Sequence, residues 1–244
     1  MTVQIVEIMG RANQGMTRPF ICRGDDDHIY FVKGIGATRH GQICEWLAGQ
    51  LALKLGLPIA PFEIVDVSAE LLSIASAEAR TDLGEGPAFG SQKSMVVELS
   101  ISHLEHIPDE VQRDVLAFDW WIRNADRSMT ESGGNPNLFW NVELEQLTVI
   151  DHNQAFDPHF SVTDFLDLHV FSRQRHALFG DWVLCQQYNA RFADAMAHWP
   201  DFCHTLPSGW WFIDREQTIP TVFDLNQIQA SLMKFQDNTF WRQS

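Results

Sequence analysis

Positive charge is scarce in this chain of 244 residues. It has 17 Lys and Arg against 32 Asp and Glu, which gives a formal net charge of −15. Because nucleic acids are bound through clustered Lys and Arg, this balance argues against a nucleic-acid-binding surface. Direct binding to nucleic acid is therefore not expected.

Cysteine and long apolar runs are also sparse. The four cysteines, Cys22, Cys44, Cys185 and Cys203, lie far apart and form no Cys-x-x-Cys pair, which favours reduced thiols over disulfides or a zinc site. No apolar run approaches the roughly 20 residues that span a bilayer. The first ten residues, MTVQIVEIMG, lack the basic-then-apolar pattern of a signal peptide. We therefore expect a cytoplasmic protein with no membrane partner.

Hydrophobic periodicity predicts an α+β fold in two parts. Residues 1–100 contain several short strand-like runs, whereas residues 101–244 are mainly helical in pattern. Residues 40–55 have apolar positions at four-residue spacing and predict a helix in the first part. Residues 83–91, LGEGPAFGS, are rich in glycine and predict a loop.

A polar stretch in the middle of the chain carries the clearest chemistry. A helix predicted over residues 109–124 leads to Asp126, and two short strands then follow, of which the second ends at Asp151. This hairpin would bring Asp126, Asn137 and Asp151 to one end, where oxygen ligands can hold Mg²⁺. Asp and Asn are also common turn residues, so such a loop alone is more often a turn.

Two charged residues in the first part strengthen this interpretation. Lys33 ends the apolar run IYFVK, and Glu45 lies in the helix that follows. A terminal Lys usually extends its amine to water, and Glu45 could equally face solvent. However, kinases use a fixed order of functional residues along the chain, and this sequence has the same order. The order is a strand Lys, a helix Glu, an Asp, an Asn and a strand Asp.

Two further segments fit the same order less specifically. Residues 10–17, GRANQGMT, predict a glycine-bearing turn between strands, as in the kinase loop that covers the nucleotide, although an ordinary hairpin fits equally well. The apolar run over residues 95–99 stands where a kinase hinge lies. The backbone of Val97, Glu98 and Leu99 is therefore a candidate contact for adenine.

Five segments, taken in order, resemble the HipA-like kinases. They are YFVKG from Tyr30, EWLAGQLA from Glu45 with LGLP ending at Pro58, NADR from Asn124, NPNL from Asn135 and VIDH from Val149. The resemblance spans about residues 5–160 and is strongest with the compact branch that lacks the N-terminal extension of the HipA toxins. It implies a bilobal protein-kinase-like fold, with a nucleotide-binding lobe over residues 1–100 and a catalytic, helical lobe over residues 101–244.

The resemblance also implies a reaction and the residues that perform it. ATP and Mg²⁺ would serve to transfer the γ-phosphate to a Ser or Thr hydroxyl, on a protein. Lys33 would bind the ATP phosphates, and Glu45 would orient Lys33. Asp126 would accept the proton of the hydroxyl, and Asn137 and Asp151 would hold Mg²⁺.

The metal ligand and the phosphate acceptor stay open. Residues 130–134 lengthen the loop after Asp126 relative to the family, so Asn135 is an alternative to Asn137, which directly precedes an apolar strand. HipA toxins phosphorylate an aminoacyl-tRNA synthetase, but no residue here identifies that target. The toxin–antitoxin connection adds an antitoxin to the candidate partners.

Two other functions fit parts of the sequence. A catalytically weak, kinase-like binding module would need an aromatic surface, for which the candidates are Trp120, Trp121 and residues 210–212, although buried packing explains these residues more simply. A metal-dependent hydrolase would need ligands, for which the candidates are Asp126, Asp151, His152, His159 and the His-x-x-His pattern at residues 103–106.

Overall fold

The computed structural model describes residues 2–13, 17–99, 101–130 and 133–242. The chain divides into two compact units. The first comprises residues 1–46, 60–94 and 206–223, and the second comprises residues 47–59, 95–205 and 224–244. Both strands and helices are present, which confirms the mixed α+β prediction. The bilobal kinase arrangement and the lobe boundary after residue 100 stay predictions.

The first unit is built on a closed five-stranded sheet. Its strand order is β1-β2-β3-β5-β4, and β4 pairs with β1 in parallel to complete the closure. The strands are β1 Val3–Arg11, β2 Phe20–Gly24, β3 Ile29–Lys33, β4 Phe62–Val67 and β5 Gly86–Gln92. The helical segments are a 3₁₀ turn Ile35–Ala37, helix α1 Arg39–Lys54, helix α2 Ala69–Ile74, a π-helical turn Ala79–Leu83 and a 3₁₀ turn Ser208–Trp211. The second half of α1 belongs to the second unit.

Alternating side chains fill the inside of this closed sheet. Tyr30 and Val32 on β3 are buried, and they pack in one cluster with Cys22, Val65 and Val67 from neighbouring strands. Since successive strand residues point to opposite faces, Lys33 lies on the other face from this cluster. The strand therefore carries Lys33 away from the apolar interior of the sheet.

The prediction of a loop over residues 83–91 is wrong, because residues 86–92 form strand β5. This strand lies between β3 and β4 and pairs with both. A Cβ at Gly90 would lie 2.7 Å from Val65 Cγ1, so only glycine lets the strands approach this closely. The glycines that suggested a loop thus serve close packing within a sheet.

The predicted glycine-bearing turn over residues 10–17 is only partly described. Strands β1 and β2 pair antiparallel on either side of it, and Arg11 is opposite Phe20. Residues 14–16 lie outside the described residues. The role of this turn as a nucleotide-covering loop stays a prediction.

The second unit combines short strands with helices. Strand order is β10-β9-β6 in one small sheet, and β7 and β8 pair in another. The strands are β6 Val96–Glu98, β7 Ser128–Thr130, β8 Gly133–Asn135, β9 Leu138–Asn141 and β10 Gln146–Val149. The helices are α3 Ile101–Leu104, α4 Asp109–Trp121, α5 Val162–Leu168, α6 Arg175–Gly180, α7 Trp182–Met196, α8 Trp199–His204 and α9 Leu225–Leu232, with 3₁₀ turns at Ser172–Gln174 and Met233–Gln236. No helix in the described ranges is long and apolar enough to cross a membrane.

Helix α4 ends three residues earlier than the sequence predicted. Arg123 adopts a left-handed φ of 55°. Arg123 N bonds to Trp120 O at 3.4 Å, and Asn124 N bonds to Asp119 O at 2.9 Å, which is the pattern of a Schellman cap. This cap usually contains glycine, so an arginine gave no signal of it. The early stop turns the chain towards Asp126.

Buried tryptophans anchor α4 in the core of the second unit. The ring of Trp121 stacks on Phe192 with centroids 4.2 Å apart, and Trp121 Nε1 donates to Leu232 O at 2.8 Å. Trp120 is also buried, and in the first unit Trp210 is buried too. These three tryptophans therefore cannot form the aromatic surface that a binding module would need, because their side chains are buried.

A substitution at Gly34 tests the packing that positions Lys33. A Cβ at Gly34 would lie 2.1 Å from the backbone oxygen of Leu83, so the backbone after β3 must shift. We expect Gly34→Ala to lower the free energy of unfolding by about 1–3 kcal/mol, measured by urea denaturation. Gly180→Ala is the matched control, because a Cβ there meets nothing within 4 Å. Equal stabilities of the two variants would contradict the close contact at Gly34.

Candidate active site

Lys33 and Glu45 form a buried ion pair in the first unit. Lys33 Nζ donates to Glu45 Oε1, and the two residues are only 9% and 2% exposed. Gln42 Nε2 donates to the Lys33 backbone oxygen at 2.5 Å, which ties the end of β3 to α1. A buried charge is costly unless it is paired, so the pair fixes Lys33 in position. The structure therefore brings together the strand Lys and the helix Glu for which the resemblance implied a pairing.

Asp126 and Asn137 are in direct contact in the second unit. Asn137 Nδ2 donates to the Asp126 backbone oxygen at 2.9 Å and to Asp126 Oδ2 at 3.1 Å. Asn137 precedes β9, and Asp151 follows β10, whose Val149 is opposite Leu138 at the same end of the hairpin. The hairpin thus carries the amide and the second carboxylate at one end.

The backbone is strained at both residues proposed to hold metal. Asn137 has φ 50° and Asp151 has φ 56°, both in the left-handed region. Asp and Asn enter this region more readily than other residues, although it still costs free energy. Strained residues concentrate at functional sites, where the surrounding structure holds them in place. Sequence spacing alone did not reveal this feature.

Asn135 lies farther from Asp126 than Asn137 does. Its Nδ2 is 3.5 Å from Asp126 Oδ2, at the limit of a hydrogen bond, and its side chain is exposed. Asn135 ends β8, which pairs antiparallel with β7, so residues 128–130 and 133–135 after Asp126 form a two-stranded sheet. The choice between Asn135 and Asn137 as a metal ligand stays a prediction, and the contacts favour Asn137.

The electrostatic surroundings of Asp126 suit a proton acceptor. Burial raises the pKa of the Asp126 carboxyl, and the nearby charge of Asp151 raises it further, while the hydrogen bond from Asn137 opposes both. A carboxylate with a raised pKa is a stronger base than one in water. Asp126 and Asp151 are therefore close enough to act on each other electrostatically.

Arg127 connects the two arms of the hairpin from beneath. Its side chain is fully buried, and Nη1 donates to Asn137 O at 2.8 Å and to Ile150 O at 3.2 Å. It also donates to Pro136 O at 3.2 Å. Ile150 N in turn donates to Asn137 O at 3.1 Å. A single guanidinium therefore fixes the backbone next to both residues proposed to hold metal.

Asp119 neutralises Arg127 inside the second unit. Arg127 Nε donates to Asp119 Oδ2 at 2.7 Å, and Asn124 Nδ2 donates to Asp119 Oδ1 at 2.8 Å. Burial would raise the pKa of Asp119, but the charge of Arg127 and a bond from His169 hold that pKa well below its usual range. Asp119 is therefore ionised, and it compensates the buried guanidinium.

His169 completes this cluster as a neutral donor. Phe171 N donates to His169 Nδ1 at 3.1 Å, so His169 Nε2 carries the proton that faces Asp119 Oδ2 at 3.0 Å. Burial and the charge of Arg127 lower the pKa of His169, against the effect of Asp119. Sequence analysis missed Asp119, Arg127 and His169, and Arg127 in the NADR segment was the only sign of this cluster.

The candidate hinge residues lie on strand β6. Val97 is opposite Trp140 on β9, so this strand joins the sheet that carries the hairpin. Val97 is 43% exposed, whereas Leu99 is buried, and Glu98 is exposed. Their contact with adenine stays a prediction.

The predicted residues fall into two groups. Lys33 and Glu45 belong to the first unit, and Asp126, Asn137 and Asp151 belong to the second. The Lys33–Glu45 ion pair holds the first group together, and the hydrogen bond from Asn137 to Asp126 connects the second. That both groups serve one reaction stays a prediction.

The donor atoms in the second unit are those that Mg²⁺ prefers. Asp151 offers carboxylate oxygens and Asn137 adds an amide oxygen, next to the Asp126 carboxylate that Asn137 contacts. In the part of the chain that the structure describes, no three His, Cys, Asp or Glu side chains are grouped to hold a metal. These donor atoms therefore fit an ion that binds oxygen and takes its further ligands from water or phosphate.

The sequence profile of a family described as HipA-like kinase matches residues 5–244, which is essentially the whole chain. The chain belongs to the HipA-like kinase family. The match extends past the motifs near residue 160 into the C-terminal helices. No curated protein matches the chain. Membership of the HipA-like family supports a kinase function in general.

Replacement of Arg127 tests the cluster beneath the HipA-like hairpin. Arg127→Met leaves the Asp119 charge buried without its guanidinium, and we expect a loss of about 3–5 kcal/mol in the free energy of unfolding. The double variant with Asp119→Asn should lose less than the sum of the two single changes, because the unpaired charge is gone. Urea denaturation of all three variants measures both effects. A loss below about 1 kcal/mol in Arg127→Met would contradict the role of the ion pair.

Proposed function

We propose that this HipA-like protein is an ATP- and Mg²⁺-dependent kinase that transfers the γ-phosphate of ATP to a Ser or Thr hydroxyl on a protein. The observation that carries the proposal is the contact of Asp126 with Asn137 beside Asp151, on a strained hairpin end. A bilobal kinase-like fold, with lobes over residues 1–100 and 101–244, and a cytoplasmic location are part of the same proposal.

The buried pair of Lys33 and Glu45 supports a nucleotide site in the first unit. In kinases a strand Lys paired with a helix Glu contacts the ATP phosphates. The ion pair with Glu45 orients the Lys33 ammonium group. Val97, Glu98 and Leu99 would supply backbone groups to the adenine ring.

The second unit would hold the metal and the acceptor. Asp151 and Asn137 would bind Mg²⁺, which when bound offsets the charge of the ATP phosphates. The Arg127 contacts hold both ligands in a fixed geometry, as electrostatic catalysis requires. The backbone at Asn137 and Asp151 already has its left-handed conformation, so metal and nucleotide binding would need little rearrangement there.

Asp126 would act on the acceptor. Its carboxylate would take the proton of the Ser or Thr hydroxyl while the hydroxyl oxygen bonds to the γ-phosphorus and the bond to ADP breaks. Burial raises the pKa of Asp126, which makes its carboxylate a stronger base for this proton transfer. Asn137 orients the carboxylate through its hydrogen bond to Asp126 Oδ2, and it holds the Asp126 backbone through its bond to the carbonyl oxygen.

The acceptor and further partners follow from the family alone. A protein acceptor is proposed because HipA toxins act on one, and an antitoxin remains a candidate partner. Incubation of the full chain with labelled ATP, Mg²⁺ and cell lysate would reveal the acceptor as a labelled band. Label that is transferred equally well by an Asp126→Asn protein would come from another enzyme and would contradict the proposal.

Two carboxylate variants should fail in different ways. We expect Asp126→Asn to lower the rate of phosphoryl transfer by about 10²–10⁴-fold with Mg-ATP affinity retained, because only the proton acceptor is lost. Asp151→Asn should weaken the dependence of ATP binding on Mg²⁺ as well as the rate. Calorimetry and a radiolabel assay measure the two effects, and Asp167→Asn, an exposed carboxylate on α5, is the control. Wild-type rates in both variants would refute the assignments.

Removal of Lys33 should affect nucleotide binding. We expect Lys33→Met to reduce ATP affinity at least about tenfold, since a charged hydrogen bond to phosphate is lost. Lys54→Met removes an exposed lysine at the end of helix α1 and serves as the control. Calorimetry measures both. Unchanged ATP affinity in Lys33→Met would count against the proposed nucleotide site.

A further inference from the structure

The C-terminal end of helix α1 is held by a side chain from a distant part of the sequence. The helix ends in a Schellman cap, because Leu57 N donates to Ala52 O at 3.0 Å and Gly56 has φ 72°. This cap leaves the backbone oxygen of Leu55 unused. Arg191 Nη2, on α7, donates to Leu55 O at 2.7 Å. A cation therefore bonds to a carbonyl at the negative end of the helix dipole, where positive charge is stabilising.

Arg191 is itself held by two neighbours in the second unit. Its Nη1 donates to Asp114 Oδ1 at 2.6 Å, and its Nη2 donates to Asp114 Oδ2 at 3.3 Å. Tyr188 Oη donates to Asp114 Oδ1 at 2.7 Å, and the Arg191 guanidinium lies over the Tyr188 ring, 5.2 Å from its centroid. These three residues, which we call the α1 clamp, therefore connect the end of α1 to helices α4 and α7.

Helix α1 runs from the clamp to the partner of Lys33. Glu45 lies about 15 Å before Leu55 along the axis, given the rise per residue of an α-helix. The helix contains no proline that would kink it. Rigid helices transmit a displacement from one end to the other. A shift of the helix at Leu55 is therefore expected to move Glu45 as well.

The contacts that α1 makes with Lys33 depend on where the helix stands. Glu45 accepts from Lys33 Nζ, and Gln42 Nε2 donates to Lys33 O at 2.5 Å. Gln42 and Glu45 are three residues apart, so they lie on one face of the helix. A rotation or an axial shift of α1 would disturb both contacts together.

We propose that Arg191 is a positioning residue for the nucleotide site. By holding Leu55 O, it fixes α1 along its axis and keeps Glu45 beside Lys33. This inference rests on the proposed function in one respect, because it takes Mg-ATP as the ligand of Lys33.

The clamp can be removed without leaving a charge buried away from water. The side chains of Arg191 and Asp114 are 37% and 18% exposed, and both line a groove of about 390 Å³ with Tyr188 and other residues of α4 and α7. Water can thus reach Asp114 when Arg191 is replaced. We therefore expect Arg191 variants to fold.

Calorimetry of Mg-ATP binding to the full chain tests the positioning role. We expect Arg191→Leu to lower the affinity about threefold to thirtyfold, and Arg191→Lys, which keeps a donor for Leu55 O, to recover part of it. Arg175→Leu is the matched control, because Arg175 is also 37% exposed, pairs with Asp167 and donates to Leu166 O at 3.4 Å on α5. Unchanged affinity in Arg191→Leu, or an equal loss in the control, would overturn the inference.

A double-variant cycle separates positioning from a general loss of stability. If Arg191 acts through Lys33, Arg191→Leu should change Mg-ATP affinity much less in a Lys33→Met protein than in wild type. Equal losses in the two backgrounds would mean that Arg191 acts by another route, and the positioning role would be refuted.

Hydrogen exchange of the α1 amides gives a readout that needs no nucleotide. We expect Arg191→Leu to speed exchange at least about threefold over residues 42–48 as well as over residues 52–57, because the whole helix is released. Faster exchange at residues 52–57 alone would identify Arg191 as a local cap and would contradict the proposal.

These measurements also separate the positioning role from the proposed function. If Lys33→Met weakens Mg-ATP binding and Arg191→Leu does not, the kinase proposal survives and the role of Arg191 fails. If wild type does not bind Mg-ATP, the kinase proposal fails, and exchange over residues 42–48 then decides whether Arg191 holds Glu45 in place.

Discussion

The buried ion pair between Arg127 and Asp119 is the contact on which the candidate active site depends. An arginine with no exposed surface requires a buried counter-ion, and Asp119 supplies it. Arg127 Nη1 then donates to three backbone oxygens around the hairpin. Because hydrogen bonds to a charged group are stronger than those between neutral groups, these contacts hold the three oxygens in place. The position of the loop therefore follows from charge compensation beneath it.

This arrangement also explains how strained residues persist near Asp126. Left-handed backbone at Asn137 and Asp151 costs free energy, and the hydrogen bonds from Arg127 and within the hairpin offset it. The Schellman cap at Arg123 adds a third left-handed residue just before this loop. The site is thus fixed by tertiary contacts before any ligand is present, as preorganised electrostatic sites require.

Charge is distributed unevenly in this acidic protein. Acidic residues outnumber basic ones almost two to one, and several of the few cations are paired with carboxylates. Arg11 binds Asp82 and Glu78 on the first unit. The buried pairs of Lys33 with Glu45 and of Arg127 with Asp119 show what these cations do, which is to fix a neighbouring element.

Sequence patterns by themselves determined the α+β class, helix α1, the hairpin and the family, because periodicity and motif order are local properties. The pairing of Lys33 with Glu45 was implied by the resemblance to the HipA-like kinases, whereas the residues alone left Glu45 free to face solvent. Strand β5 was mistaken for a loop because its glycines serve packing against Val65, which is distant in sequence. The end of α4 was misplaced because arginine occupies a position where glycine is usual. Only tertiary structure revealed Asp119, Arg127 and His169 as one cluster, since a buried charge is recognisable only when its partners, up to 50 residues apart, are seen together.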